Sequence, residues 1–151
     1  MALFGSMRTW EFLSKLDSKR IIEAIQQAEA KTSGEIRVFV KRGPLPGDAL
    51  VAARKNFHEL GMEKTKQRNG VLIFVAPRAR KFAVIGDEGV HQKCDEKYWQ
   101  RLVDSMRTHF QKENFTDALL EAVRRTGELL AKHFPKQGDD TNELPDVVVG
   151  T

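Results

Sequence analysis

Two short apolar runs separated by four residues constrain this chain more than any other feature in it. VLIFVA occupies residues 71–76 and KFAVIG residues 81–86, with PRAR between them. Both runs are rich in β-branched and aromatic residues and both are bounded by turn residues, so each is expected to be a strand. A connection that returns a strand parallel to its neighbour takes a dozen residues or more. A link of four permits only an antiparallel hairpin. The first run is apolar at every position, the pattern of a strand covered on both faces.

The segments before the hairpin read as strand, helix, strand. Ile36, Val38 and Val40 alternate with Glu35, Arg37 and Lys41, while Phe39 adds apolar surface to the second face. Between this strand and the hairpin, Leu50, Ala53, Phe57 and Leu60 recur at helical spacing, with Asp48 placed as N-cap and Gly61 as the stop. A strand, helix and strand in one sheet imply a parallel pair joined by a right-handed crossover. An earlier helix follows Asp17, or Ser14, as cap. It carries Ile21, Ile22, Ile25 and Ala28 and is expected to stop at Ser33-Gly34.

Two more helices are expected after Gly86. Asp95 caps one that bears Trp99, Leu102, Val103, Met106 and Phe110. Glu113 and Asn114 break the pattern, and Thr116 caps the last helix, which carries Leu119, Leu120, Val123, Leu129, Leu130 and Phe134 and ends at Pro135. The valines at 147–149 read either as a short edge strand or as loose chain. The expected fold class is α/β: a three-layer α/β/α sandwich, with about four helices around a small mixed sheet of about four strands. At 151 residues the chain fits one domain. Residues 1–13 read as an N-terminal arm pinned by Trp10, Phe12 and Leu13, and residues 136–151 as an acidic C-terminal tail.

Several function classes are excluded or disfavoured. The net charge of +4 comes from 25 Lys and Arg mixed with 21 Asp and Glu, so nucleic acid is not the expected partner. The nearest approach to a basic block is Lys64, Lys66 and Arg68, followed by Arg78, Arg80 and Lys81. Cys94 stands alone, which permits no intrachain disulfide and no Cys-rich metal cage. There is no Walker A loop, no G-x-G-x-x-G after a strand and no G-x-S-x-G elbow. No apolar run approaches the roughly 20 residues of a membrane helix, and no signal-type apolar segment opens the chain. A cytoplasmic monomer is expected.

The acidic residues carry the one chemical suggestion. Asp87 and Glu88 lie in the G-D-E-G turn that closes the second hairpin strand, and Glu35 begins the first strand. The topology puts the end of one next to the start of the other, at an edge where α/β sheets commonly bind ligands. Carboxylate and carbonyl oxygens suit hard cations. The same spacing is equally that of a plain turn in which Asp87 is a helix N-cap.

The order TSGEIRV at 32–38, LGMEKT at 60–65, RNGVLIFVA at 68–76 and RKFAVIGDEG at 80–89 resembles the TPM domain family. The likeness continues through GELLAKHFP at 127–135 and DDTNELPD at 139–146. It marks residues 14–135 as a TPM-like α/β domain of the branch that ends in N-E-L-P-D without a membrane anchor. The resemblance implies an α/β/α sandwich and, for some members, binding of calcium, magnesium or another divalent ion. It also implies protein partners for some members and acid phosphatase activity for one plant member. Carried onto this chain, it supports Asp87 and Glu88 as metal ligands, with Glu35 and Glu128 as further candidates. Many members have a longer G-x-G-L-E-G turn at this place, so the ligand set here is expected to differ. The reading that follows is a calcium-type binding or regulatory module, with no residue assigned a catalytic role. A metal-assisted phosphatase drawing on Arg37, Arg68 or Arg80, and a basic surface for membrane lipid or nucleic acid, are the alternatives.

Overall fold

Strand β2 (Gly70–Ala76) is the centre of the molecule, and every one of its residues is buried. A computed structural model, which describes residues 7–136 and 147–150, places it between β1 (Glu35–Lys41), parallel to it, and β3 (Lys81–Gly86), antiparallel. A fourth strand, β4 (Val147–Gly150), runs parallel to β1 on the far side, so the valines do form an edge strand. The sheet order is β3-β2-β1-β4. The mixed sheet, the hairpin and the parallel crossover all follow the sequence reading.

The alternation within the strands divides the core into two layers. Ile36, Val38, Val40, Val71, Ile73, Val75 and Val84 face one side. Against them pack α2 (Ser18–Glu29), α5 (Glu96–Gln111) and α6 (Phe115–His133). Phe39, Leu72, Phe74, Ala76 and Ala83 face the other side, against α3 (Ala49–Glu59) and Met62. Phe39 and Phe74 stack there at 5.9 Å between centroids. Each fully buried Phe of this kind contributes roughly 2–3 kcal/mol through its apolar area.

Among the described residues, six α-helices surround the sheet instead of about four. The two additional ones are short: α1 (Thr9–Ser14) and α4 (Glu88–Lys93). The N-terminal arm is therefore helical from Thr9 onward. Only part of it anchors as expected. Phe12 is fully buried and meets Phe115 at 5.0 Å, and Leu13 packs at the edge of the same cluster. Trp10 points outward and is 65% exposed.

The caps sort into hits and corrections. Asp17, Asp48 and Asp95 each accept a hydrogen bond from the first turn of the helix they precede, and Gly61 takes the left-handed conformation (φ 69) that ends α3. Thr116 is not a cap. Helix α6 begins one residue earlier, after Asn114, and the Thr116 hydroxyl accepts the Asp17 N–H at 3.0 Å, joining two helix starts. Nor is Gly34 a left-handed stop, because α2 has already ended at Ala30. It must be small because a Cβ there would lie 2.9 Å from Leu130 Cδ1. Gly127 meets a similar limit, since an added Cβ would lie 2.7 Å from Ala28 Cβ where α6 crosses α2. The acidic positions Asp139, Asp140, Glu143 and Asp146 lie outside the described residues.

Candidate functional site

The sheet register builds the acidic turn. Glu35 stands opposite Gly70, and Val71 opposite Gly86. One residue further on, the Asp87 N–H donates to the Gly70 carbonyl at 2.9 Å. Glu35, Gly70 and Asp87 thus form one row at the end of the sheet, as the topology implied. Both acids are buried, with 3% and 5% of their surface exposed.

What faces Asp87 was not legible in the chain order. Residue 68 crosses under the turn in the left-handed conformation (φ 51). Its guanidinium forks onto Asp87, with Nε to Oδ2 at 2.8 Å and Nη2 to Oδ1 at 3.0 Å. Nη1 reaches Glu88 Oε1 at 3.2 Å. Such a two-pronged pair is among the stronger side-chain contacts. The hydrogen bond to Asp87 holds the Arg68 guanidinium protonated even above the ordinary arginine range. Asp87 Oδ1 also accepts the Glu88 N–H at 2.7 Å and caps α4. The plain-turn role of Asp87 is therefore real.

Gly89 makes this crossing feasible. Its N–H donates to the Arg68 carbonyl at 2.9 Å, and a Cβ would sit 2.3 Å from the Gln67 carbonyl oxygen and 2.6 Å from that of Arg68. Only a residue without a Cβ lets the start of α4 press onto that loop.

Glu63 is the site residue that spacing did not point to, although it lies inside the LGMEKT stretch. It follows Met62, which is buried and holds the short helical turn Met62–Lys64 in place. One Glu63 oxygen lies 3.0 Å from His58 Nδ1. The other, Oε2, is buried and takes no hydrogen bond from the described residues. Glu63 and Asp87 share a cavity of about 280 Å³ with Arg54, His58 and Arg68. Three carboxylates, from Glu63, Asp87 and Glu88, thus act on one guanidinium.

Glu128 does not join them. It pairs with Arg124 at 3.2 Å along α6 and is 60% exposed. Among the described residues no three His, Cys, Asp or Glu side chains are grouped to hold a metal together. Asp87 and Glu88 have the oxygen chemistry a hard cation takes. However, Arg68 engages both Asp87 oxygens and one of Glu88, so an ion reaches them only in exchange for the guanidinium.

A second polar cluster, on α5 and α6, also escaped the sequence reading. Glu121 Oε2 accepts from the Ser105 hydroxyl at 2.7 Å and lies 2.8 Å from His109 Nε2, and its Oε1 accepts from Arg125 Nε at 3.0 Å. His109, in the last turn of α5, is a partner of this carboxylate. The Ser105 hydrogen bond, with those of His109 and Arg125, draws the Glu121 carboxyl down from 4.5 to about 2. A depressed carboxyl stabilises the fold above its unfolded value and loses that stabilisation as pH falls through its folded value. The expected loss is roughly 1–2 kcal/mol between about pH 5 and pH 2, allowing for solvent screening of a partly exposed group. Urea midpoints of the wild type and Glu121→Gln across that range check it. If the two curves stay parallel, Glu121 is not the titrating group. Elsewhere, burial pushes the Cys94 thiol up, which suits a packing role and not a nucleophile.

With this geometry in view, the comparisons with known proteins are decisive for kinship. The family model described as TPM domain matches residues 8–129. The chain belongs to the TPM domain family. The match begins before residue 14 and so takes in α1 of this TPM domain. Against curated protein sequences the TPM chain has no match. Among solved structures it is similar to the BA42 protein of the psychrophilic bacterium Bizionia argentinensis, at 34% identity and a TM-score of 0.80, over 91% of this chain and 96% of that one. It shares its fold, at 16% identity and a TM-score of 0.58, with the N-terminal domain of the cg2496 protein from Corynebacterium glutamicum, over 83% of this chain and 76% of that one. No helix among the described residues of the TPM domain is long and apolar enough to cross a membrane.

Proposed function

We propose that this TPM domain is a binding or regulatory module that takes a divalent, calcium-type cation at the 86–89 turn in exchange for Arg68. One observation carries the reading: the carboxylates of Asp87 and Glu88 already hold a cation, the Arg68 guanidinium. The pocket is shaped for positive charge, and its present occupant is a side chain that is 42% exposed and so has room to swing out. Glu63, with a buried oxygen that accepts nothing from the described residues, lines the same cavity as Asp87. Glu35 supports the same edge through the register. Glu128 has no part in it.

The two alternatives have less support. A phosphatase would draw on Arg37, Arg68 or Arg80. Arg68 is committed to Asp87, Arg37 is buried within β1, and Arg80 sits in the hairpin at the opposite end of β2. A single basic surface is also disfavoured, because Lys64 and Lys66 precede β2 while Arg78, Arg80 and Lys81 follow it.

The test is a titration of calcium and of magnesium into chelator-treated protein, followed by amide NMR. Shifts concentrated at residues 63–70 and 86–89 are expected. Arg68→Gln removes the internal competitor and is expected to tighten calcium binding several-fold. A flat response in both proteins at millimolar ion ends the proposal.

A further inference from the structure

The β3 edge of the sheet ends in a cleft that no role so far uses. The Asp87–Gly70 hydrogen bond marks an antiparallel bonded pair, and such pairs recur at every second residue. Ile85, Ala83 and Lys81 therefore bond to β2, while the backbone groups of Phe82, Val84 and Gly86 point away from it. Since β3 is the last strand in the order, no strand among the described residues meets them. Such an edge is a template for another strand.

The surroundings of this edge select what can pair with it. A cavity of about 670 Å³ runs along it, with Phe82 and Val84 on its floor, Leu50 of α3 on one side, and Trp99 and Val103 of α5 on the other. The lining is apolar in both directions a strand's side chains would point. Leu50 is 41% exposed and its neighbour Val51 65%, an unusual pair for the surface of a helix otherwise polar outside.

Charge narrows the choice further. Lys81 and Arg107 line the cleft. The Asp48 carboxylate also lines it but is spent on capping α3, accepting from the Leu50 and Val51 amides. Arg107 pairs with Asp104 at 3.0 Å with both side chains about half exposed, so the solvent-screened pair leaves its charge felt by a ligand. The cleft thus favours an occupant with negative charge at its rim. Helices wall the strand on both sides, and a second copy of β3 would be walled in the same way. Two recessed edges cannot approach each other, whereas a single extended chain can enter.

We infer that the β3 edge is a docking cleft for an extended peptide segment of a partner protein. The segment adds a fifth strand beside β3, alternates apolar side chains, and carries acidic residues that meet Lys81 and Arg107. Main-chain hydrogen bonds at Phe82 and Val84 supply affinity, and the apolar walls and the two cations supply selectivity.

The experiment uses a fluorescein-labelled octapeptide of alternating valine and threonine with a glutamate at each end. Two controls replace the glutamates by lysines or put proline at the centre. The acidic peptide is expected to bind with a Kd of roughly 10–100 μM, and each control at least about tenfold more weakly. In hydrogen exchange, the amides of Phe82 and Val84 should slow by about tenfold or more on binding, while those of Ala83 and Ile85, already bonded to β2, change little. Leu50→Asp and Arg107→Glu alter exposed or half-exposed positions; each should weaken binding while unchanged thermal unfolding confirms the fold. Absence of saturable binding, equal binding of the lysine peptide, or protection outside residues 48–50, 81–86 and 99–107 would overturn the proposal. So would concentration-dependent dimerisation through β3 that the peptide cannot displace. None of these outcomes depends on added calcium.

Discussion

Gly89→Ala is expected to cost about 3 kcal/mol or more, the upper range for forcing a group into a packed site. The added methyl group meets carbonyl oxygens of the backbone at 2.3 and 2.6 Å, not the pliable end of a side chain. Relief requires the 65–70 loop and the start of α4 to move apart. That breaks the Gly89-to-Arg68 hydrogen bond and shifts the Arg68 fork on Asp87. For a chain of this length the loss corresponds to a fall in melting temperature of roughly 10 °C. Thermal unfolding followed by circular dichroism reads it. A melting temperature within about 2 °C of the wild type would mean that loop and helix are not in this contact. The adjacent Glu88→Gln, at a side chain that is 61% exposed, is expected to change stability by less than about 0.5 kcal/mol. It separates loss of fold from loss of charge at the same turn.

Phe12→Ala is expected to cost about 3–5 kcal/mol, the range for removing a large buried aromatic side chain. Phe12 is fully buried, its ring meets Phe115 at 5.0 Å, and Phe115 in turn meets Phe110 at 5.9 Å. The deletion therefore opens a cavity where α1, α5 and α6 converge. A loss of that size is a large share of the stability of an ordinary domain. Trp10→Ala, two residues away and 65% exposed, should be close to neutral. Urea unfolding of both variants makes the comparison. Equal, small effects would mean that Phe12 does not anchor α1 to the core.

This pair shows where periodicity reaches its limit. Trp10, Phe12 and Leu13 were all readable as anchors, because each is apolar. A segment of six helical residues is too short for its spacing to tell the inward side from the outward one. Contact with α6, more than 100 residues away in sequence, decided that Phe12 goes in and Trp10 stays out. Helix ends behave similarly. Asp17, Asp48 and Asp95 could be read as caps because capping is local. Thr116 could not be read correctly, because its hydroxyl is claimed by the Asp17 amide across 99 positions.

The acidic turn divides along the same line. The sequence by itself determined that Asp87 closes a hairpin strand at the edge where β1 begins. Strand length, a four-residue link and one crossover helix leave no other arrangement, and those are properties of neighbouring residues. It also left open a plain turn in which Asp87 is a helix N-cap, the role it takes at the start of α4. Only the tertiary structure decided that this carboxylate already has a partner. The Arg68 fork depends on a left-handed residue in an irregular loop, on a glycine small enough to let α4 touch that loop, and on Glu63 being carried in by a buried methionine. Long-range pairing of charges leaves no periodic trace in a chain, because which loop crosses beneath which turn is set by packing. The same packing left the outer backbone of β3, between two helices, without a strand partner among the described residues, a feature written in no single residue.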